Sequence, residues 1–227
     1  MSTHFIDANA SHPSIGRSLS IARFAAAWAI VAASLVALPA YAMDEAADSF
    51  VSRVSTDVLE SILLDASIRS GDASKVIALV DAKIMPHVNF KRMTAAAVGP
   101  SWRQIAPEQQ QRLQDEFKIL LVRTYSGALA QASNLTFVVR ALRSAPDNNE
   151  VVVRTEVKGH GTPIQLEYRL ERTPGDGSGW KIYNFNVMGV WLVETYRSQF
   201  AQEINSKGVD GLITALADRN RSNAKRG

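Results

Sequence analysis

The sequence predicts an α+β fold: an antiparallel four-stranded meander packed by helices drawn from both ends of the chain. Three observations point there. Between residues 44 and 132, apolar residues recur at helical spacing in four segments separated by Gly and Pro stop signals. Between residues 134 and 187, the period switches to two, with short turns between segments. After Gly189 the helical spacing returns. Helices, then strands, then helices in one chain of 227 residues favour a single unit with helices mainly on one face of a curled sheet.

The first 42 residues are set apart as a leader. Arg17 and Arg23 sit in a polar lead, an apolar run follows from Phe24 to Leu38, Pro39 breaks it, and Ala40-Tyr41-Ala42 forms a small-x-small cleavage site. That is the layout of a secretory signal peptide. A membrane anchor is the alternative, but the run of about 15 residues falls short of the roughly 20 needed to span a hydrocarbon core. The expected organisation is a signal peptide over 1–42, one domain over 43–220 and a disordered basic tail over 221–227. The chain has no cysteine, which excludes a disulfide framework, a thiolate metal site and a thiol-linked lipid anchor.

The elements follow in order. Phe50, Val51, Val54, Val58, Ile62 and Leu63 define a first helix over residues 44–69, with Gly71 just beyond. Asp72 suits the N-cap of a second, Ala73–Met85, which Pro86 ends. Asn89 suits the cap of a third, Phe90–Val98, closed by Gly99-Pro100. Pro107 belongs in the first turn of a long fourth helix, Pro107–Ala132, whose middle, Phe117–Val122, is apolar nearly all round. Such a helix is buried on more than one side.

The strands are Asn134–Arg143, Glu150–Lys158, a third in which Ile164, Leu166, Tyr168 and Leu170 alternate with charged or polar residues, and Trp180–Val187. Their turns are Ala145–Asn149, Gly159–Thr162 and Pro174–Gly179. Two helices, Val190–Ser206 and Val209–Asp218, flank Gly208. Arg219–Gly227 reads as a frayed polar end.

Reactive groups are sparse. His87 and His160 are the only histidines beyond the leader, each without metal-ligand neighbours at useful spacing, and both read as solvated loop residues. No nucleophile elbow and no phosphate-cradling glycine loop occurs. Asp115-Glu116 and Glu167/Glu171 read as solvent faces. The formal net charge is +3. Arg17 and Arg23 against Asp7 supply one of those charges, leaving a nearly balanced domain and no case for nucleic acid as a partner. These features point to no catalysis, no metal and no cofactor. In contrast, Gly189–Phe200 concentrates Val190, Trp191, Leu192, Val193, Tyr196 and Phe200 in little more than two helical turns. An exported chain rich in apolar surface and poor in polar recognition groups fits a buried apolar pocket, although periodicity alone does not separate a cavity wall from ordinary core.

Two blocks then resemble a known family. Pro100-Ser-Trp-Arg-Gln104, Pro107-Glu-Gln-Gln110 and Phe117–Leu129 form one; Trp180-Lys-Ile-Tyr183, Gly189-Val190 and Tyr196-Arg-Ser-Gln-Phe200 form the other. In this order, over roughly Ser52–Asn220, they resemble the MlaC family of toluene-tolerance and phospholipid-trafficking ABC transporter auxiliary proteins. Asn184-Phe-Asn186 departs mildly, since the family often has an acidic residue there.

The resemblance implies a cystatin-like or nuclear-transport-factor-like lipid-binding fold. It also implies a phospholipid ligand held by its acyl chains, and localisation in the periplasm. Its partners would be an outer-membrane lipoprotein–porin complex and an inner-membrane MCE-domain ABC transporter, and its role the maintenance of outer-membrane lipid asymmetry. On that reading the fourth helix, the inner sheet face and helix 190–206 line the pocket through Phe117, Leu121, Tyr125, Leu166, Tyr168, Val187, Val190 and Val193. Tyr125 and Tyr168 are placed at the mouth, since tyrosine is apolar with one wet end. Arg123 and Arg197 are candidates to face a phosphate, with a solvated helix arginine as the plainer reading. The alternatives are a carrier of another apolar lipid such as a hopanoid, a ligand-free bridging or chaperone protein, and an exported enzyme on the same scaffold.

Overall fold

The computed structural model describes residues 45–130, 136–140, 149–158 and 163–224. The expected signal peptide at 1–42, His160, the expected turn at 159–162 and the expected turn residues 145–148 lie outside the described residues.

Helix α1 (Ala47–Leu64) buries Phe50, Val51, Val54 and Ile62. The expected helix over 44–69 is broken at Asp65, which adopts an extended conformation and accepts hydrogen bonds from Ser67 N and Ile68 N. It thereby caps the single-turn α2 (Ala66–Arg69). Asp72 caps α3 (Ala73–Leu79) through Ser74 N at 2.9 Å and Lys75 N at 3.2 Å. The expected helix to Met85 does not continue in α form. A π turn (Val80–Ile84) and a 3-10 turn (Met85–His87) replace its second half. Asn89 caps α4 (Phe90–Val98) through Arg92 N at 3.0 Å. The long α5 (Pro107–Ala130) follows a 3-10 turn over Gly99–Gln104.

The sheet is antiparallel with order β1-β2-β3-β4-β5. Its strands are β1 (Thr136–Arg140), β2 (Glu150–Lys158), β3 (Ile164–Arg172), β4 (Trp180–Val187) and the two-residue β5 (Val190–Trp191). Five strands therefore replace the expected four, because Val190-Trp191 folds back on Asn186-Val187 before any helix begins. The register places Leu166 opposite Val187 and Tyr168 opposite Phe185, and it shifts between Arg169 and Leu170.

Helix α6 (Leu192–Ala224) changes direction at Gly208, whose φ of 73° ends one helical run and permits the next. It extends past Asp218, through Arg219–Ala224, because Asn220 is buried and anchored to α5. The Asn220 amide donates to the Glu116 carbonyl at 2.9 Å and to Glu116 Oε2 at 2.6 Å.

The main core lies where α4, α5 and α6 meet the sheet. Phe117 is fully buried, with its ring 5.0 Å from Tyr196, 5.1 Å from Phe200 and 5.8 Å from Phe90. Burial of each such ring stabilises the fold by about 1.5–3 kcal/mol. A smaller cluster joins Ile62, Ile68, Val76, Leu79, Val80 and Val122. Among the described residues, no helix is long and apolar enough to cross a membrane.

Candidate functional site

A cavity of about 400 Å³ lies between the inner face of the sheet and the helices. Its sheet wall carries Phe137 from β1, Val157 from β2, Ile164, Leu166 and Tyr168 from β3, and Ile182, Phe185 and Val187 from β4. Alternation produces this wall along β3, where residues two apart share the apolar face. In β4 the register shift opposite Arg169 and Leu170 brings Ile182 onto the same face as Phe185 and Val187. The helical wall comes chiefly from α1, which contributes Val51, Val54, Ser55, Val58, Leu59 and Ile62. Leu121, Val122 and Tyr125 of α5 form a second stripe. The π turn and the residues after it add Val80, Ile84, Met85 and Val88.

Polar groups on the wall are few and mostly occupied. Lys118 Nζ donates to Asp81 Oδ1 at 2.8 Å. Burial pushes the Tyr168 phenol pKa up, against the pull of hydrogen bonds with Thr155 and Ser55. Burial also raises the pKa of Tyr125, helped by Tyr196. Asn186 turns its Oδ1 to Gly189 N at 2.8 Å. No group of His, Cys, Asp or Glu able to hold a metal occurs among the described residues. His87 is half-buried rather than solvated, with its ring edge-on to Phe50 at 5.5 Å. Burial, with Arg53 and Lys181 nearby, lowers its pKa.

Of the eight residues expected in the pocket, Leu121, Tyr125, Leu166, Tyr168 and Val187 lie on the cavity wall. Phe117, Val190 and Val193 do not. Phe117 sits on the side of α5 that faces α6, inside the aromatic core. Val193 is 3% exposed behind the cavity, with its N–H donating to Asn184 Oδ1 at 3.1 Å. Val190 belongs to β5 and is exposed. From the expected helical wall at 190–206, only Leu192 reaches the cavity among the described residues. Tyr168 is buried deep in the wall, not at the mouth. Arg123 and Arg197 are not on the wall, and Arg197 Nε donates to the Ala96 carbonyl at 3.0 Å.

The sequence reading missed the α1 wall, although Val51, Val54, Val58 and Ile62 recur there at helical spacing. That spacing signals burial, but not whether the buried face meets side chains or empty space. It also passed over Asn184, which is 1% exposed and organises the start of α6. Asn184 Oδ1 accepts from Phe185 N and Val193 N, while Nδ2 donates to Glu194 Oε2 at 2.8 Å. Burial opposes ionisation of Glu194, but its hydrogen bonds from Asn184 and Arg169 outweigh this and hold its pKa below the usual value. Arg169 in turn stacks over Trp191 at 4.0 Å. This network fixes the β4–β5–α6 corner beside the cavity.

A helix-covered antiparallel sheet enclosing an apolar compartment, with few polar groups on its wall, defines an α+β protein built around an internal cavity. The chain belongs to the MlaC protein family, whose profile matches residues 52–218. It is similar to the intermembrane phospholipid transport system binding protein MlaC of Haemophilus influenzae, at 26% identity over 64% of this chain and 68% of that protein. It is also similar to the toluene tolerance protein ttg2D of Pseudomonas putida, at 33% identity over 48% of this chain and 49% of that one. A phospholipid-binding protein from Ralstonia solanacearum, solved at 1.53 Å in complex with a phospholipid, is 46% identical. It superposes with a TM-score of 0.75, covering 78% of this chain and 98% of that chain.

Proposed function

We propose that this chain is a soluble periplasmic carrier of phospholipid, with the acyl chains in the cavity and the head group at its opening. The observation that carries the reading is the cavity itself: about 400 Å³ walled by side chains of Val, Leu, Ile, Phe and Met, with few polar groups. The phospholipid named in the Ralstonia relative's structure, at 46% identity, supports the class of ligand. The residues assigned to the acyl chains are Leu121, Tyr125, Leu166, Tyr168 and Val187, joined by the α1 stripe.

Energetics explain why such a carrier is useful. A diacyl lipid has on the order of 30 methylenes, each costing about 0.8 kcal/mol in water, so passage through water costs on the order of 20 kcal/mol. A cavity as apolar as a bilayer core removes this cost for the methylenes it encloses, so transfer between membrane and protein is far less costly than release into water. Release into water is correspondingly slow. Handover therefore occurs on contact with the membrane partners, an outer-membrane lipoprotein–porin complex and an inner-membrane MCE-domain ABC transporter. The carrier contributes no catalysis. Transport energy comes from the ATPase partner.

The test is native mass spectrometry of the mature protein, purified from periplasm without detergent, with organic extraction of the same sample. A discrete mass increment that extracts as phospholipid is expected. A bare polypeptide mass that stays bare after exposure to phospholipid vesicles would refute the carrier.

A further inference from the structure

The turn joining β4 to β5 is a strained place on the cavity wall. Among the described residues, Met188 is the only non-glycine residue with positive φ, at 52°. Gly189 follows at 86°, so both central residues have the sign that a type I′ hairpin turn needs. Asn-Gly is favoured there because asparagine visits the left-handed region far more readily than methionine does. Core packing does not explain the methionine, since Met188 is 68% exposed. Its backbone is nevertheless held firmly. Met188 N–H donates to the Gln165 carbonyl at 3.0 Å, Gly189 N–H donates to Asn186 Oδ1, and Val187 pairs with Val190.

The same residue lines the cavity. Every other described residue of the wall is buried or half-buried. A residue that belongs to the wall and is mostly exposed stands at the opening. Resting on the carrier reading above, we propose that Met188 is the gate residue of the cavity mouth. Its side chain lies across the part of the lipid nearest the head group and slows that lipid's escape. The left-handed backbone is tolerated because it aims the side chain over the opening. Strain that surrounding structure over-determines is characteristic of ligand clamps. Methionine also suits the task chemically. Three rotatable bonds and a polarisable thioether let one side chain cover acyl chains of different length and unsaturation.

The experiment loads the mature protein from vesicles of phosphatidylethanolamine and phosphatidylglycerol carrying pyrene-labelled phosphatidylglycerol. It then follows transfer to unlabelled acceptor vesicles for wild type, M188N and M188L, with the thermal midpoint of each. M188N places the favoured turn residue in the turn and removes the apolar cover. Its midpoint is expected to equal or exceed that of wild type. Its transfer is expected to be about tenfold faster, as when roughly half of a methionine's apolar surface loses its contact. M188L keeps an apolar cover and is expected to transfer near the wild-type rate. Transfer by M188N at or below the wild-type rate would overturn the gate, and a midpoint several degrees lower would overturn the strain argument. A wild-type protein, first stripped of bound lipid and refolded, that takes up no label would instead overturn the carrier reading, which is a distinguishable failure.

Discussion

Leu166→Glu turns the cavity's polarity into a measurable number. Leu166 lies on the inner face of β3 between Ile164 and Tyr168, opposite Val187 of β4 and Thr155 of β2. None of these neighbours carries a charge that could pair with a new carboxylate. The empty cavity, about 400 Å³, has room for about a dozen waters at roughly 30 Å³ each, so the carboxylate is hydrated when no lipid is bound. Filling the cavity with acyl chains strips that water. The least costly response is protonation, because a buried ionised carboxylate without a partner costs more. Neutralising a glutamate of ordinary pKa near 4.3 at pH 7 costs about 3.7 kcal/mol, or about 500-fold in lipid affinity. At pH 5 the same step costs about 1 kcal/mol, or about fivefold. Bound phospholipid, extracted from the folded protein and quantified across pH 5–8, is therefore expected to fall about tenfold in affinity per pH unit above 5 in L166E. The neutral control L166Q is expected to show a smaller loss with no pH slope. Wild-type lipid occupancy in L166E at pH 7, with circular dichroism unchanged, would refute both the cavity assignment and the estimate.

Leu121→Trp is expected to fill the α5 side of the cavity and lower phospholipid content in native mass spectra while the protein remains folded; unchanged content would remove Leu121 from the site. Asn220→Ala removes the two hydrogen bonds that tie the end of α6 to Glu116 of α5. It should destabilise the protein by about 1–2 kcal/mol in urea titration without changing lipid content. His87 has a lowered pKa in the folded protein, so the native state binds fewer protons than the unfolded one below its ordinary value of 6.5. Stability is therefore expected to decline as pH falls through that value toward the lower native one. His87→Gln should remove that part of the slope in denaturation midpoints measured between pH 7 and 5.

The parts of the fold that were legible in the sequence are those set by local chemistry. Asp72 and Asn89 cap α3 and α4 as their side chains allow, because a cap is satisfied by backbone N–H groups two or three residues on. The alternation in β2 and β3 likewise depends only on a two-residue period and one buried face. Asp65 was missed because the apolar rhythm of α1 runs through it, while its carboxylate prefers to cap the next turn. Spacing alone places Val190-Trp191 in a helix, because valine and tryptophan beside Leu192 and Val193 fit a buried stripe. Two ladder positions against Asn186 and Val187 decided otherwise.

The cavity itself was only half legible. Phe117 and Leu121 are one helical turn apart and equally apolar, but Phe117 meets Tyr196 and Phe200 while Leu121 faces open volume. That difference is made by what stands across from each residue, and helical spacing contains no information about it.

The aromatic core of Phe90, Phe117, Tyr196 and Phe200 stands beside the cavity, and of that cluster only Phe90 reaches the wall. Of the largest fully buried side chains, only Ile62, Met93 and Val51 touch the cavity, whereas Phe50, Phe117, Leu113, Leu120, Leu170, Leu212 and Ile213 pack elsewhere. A vessel whose shape depended on its contents would crumple at every unloading and would have to be rebuilt before each refill. Here the walls are braced from outside the hold, so emptying it leaves most of the bracing contacts in place. If the chain is the carrier proposed above, such an architecture is reusable, and its empty form is expected to stay folded between loads.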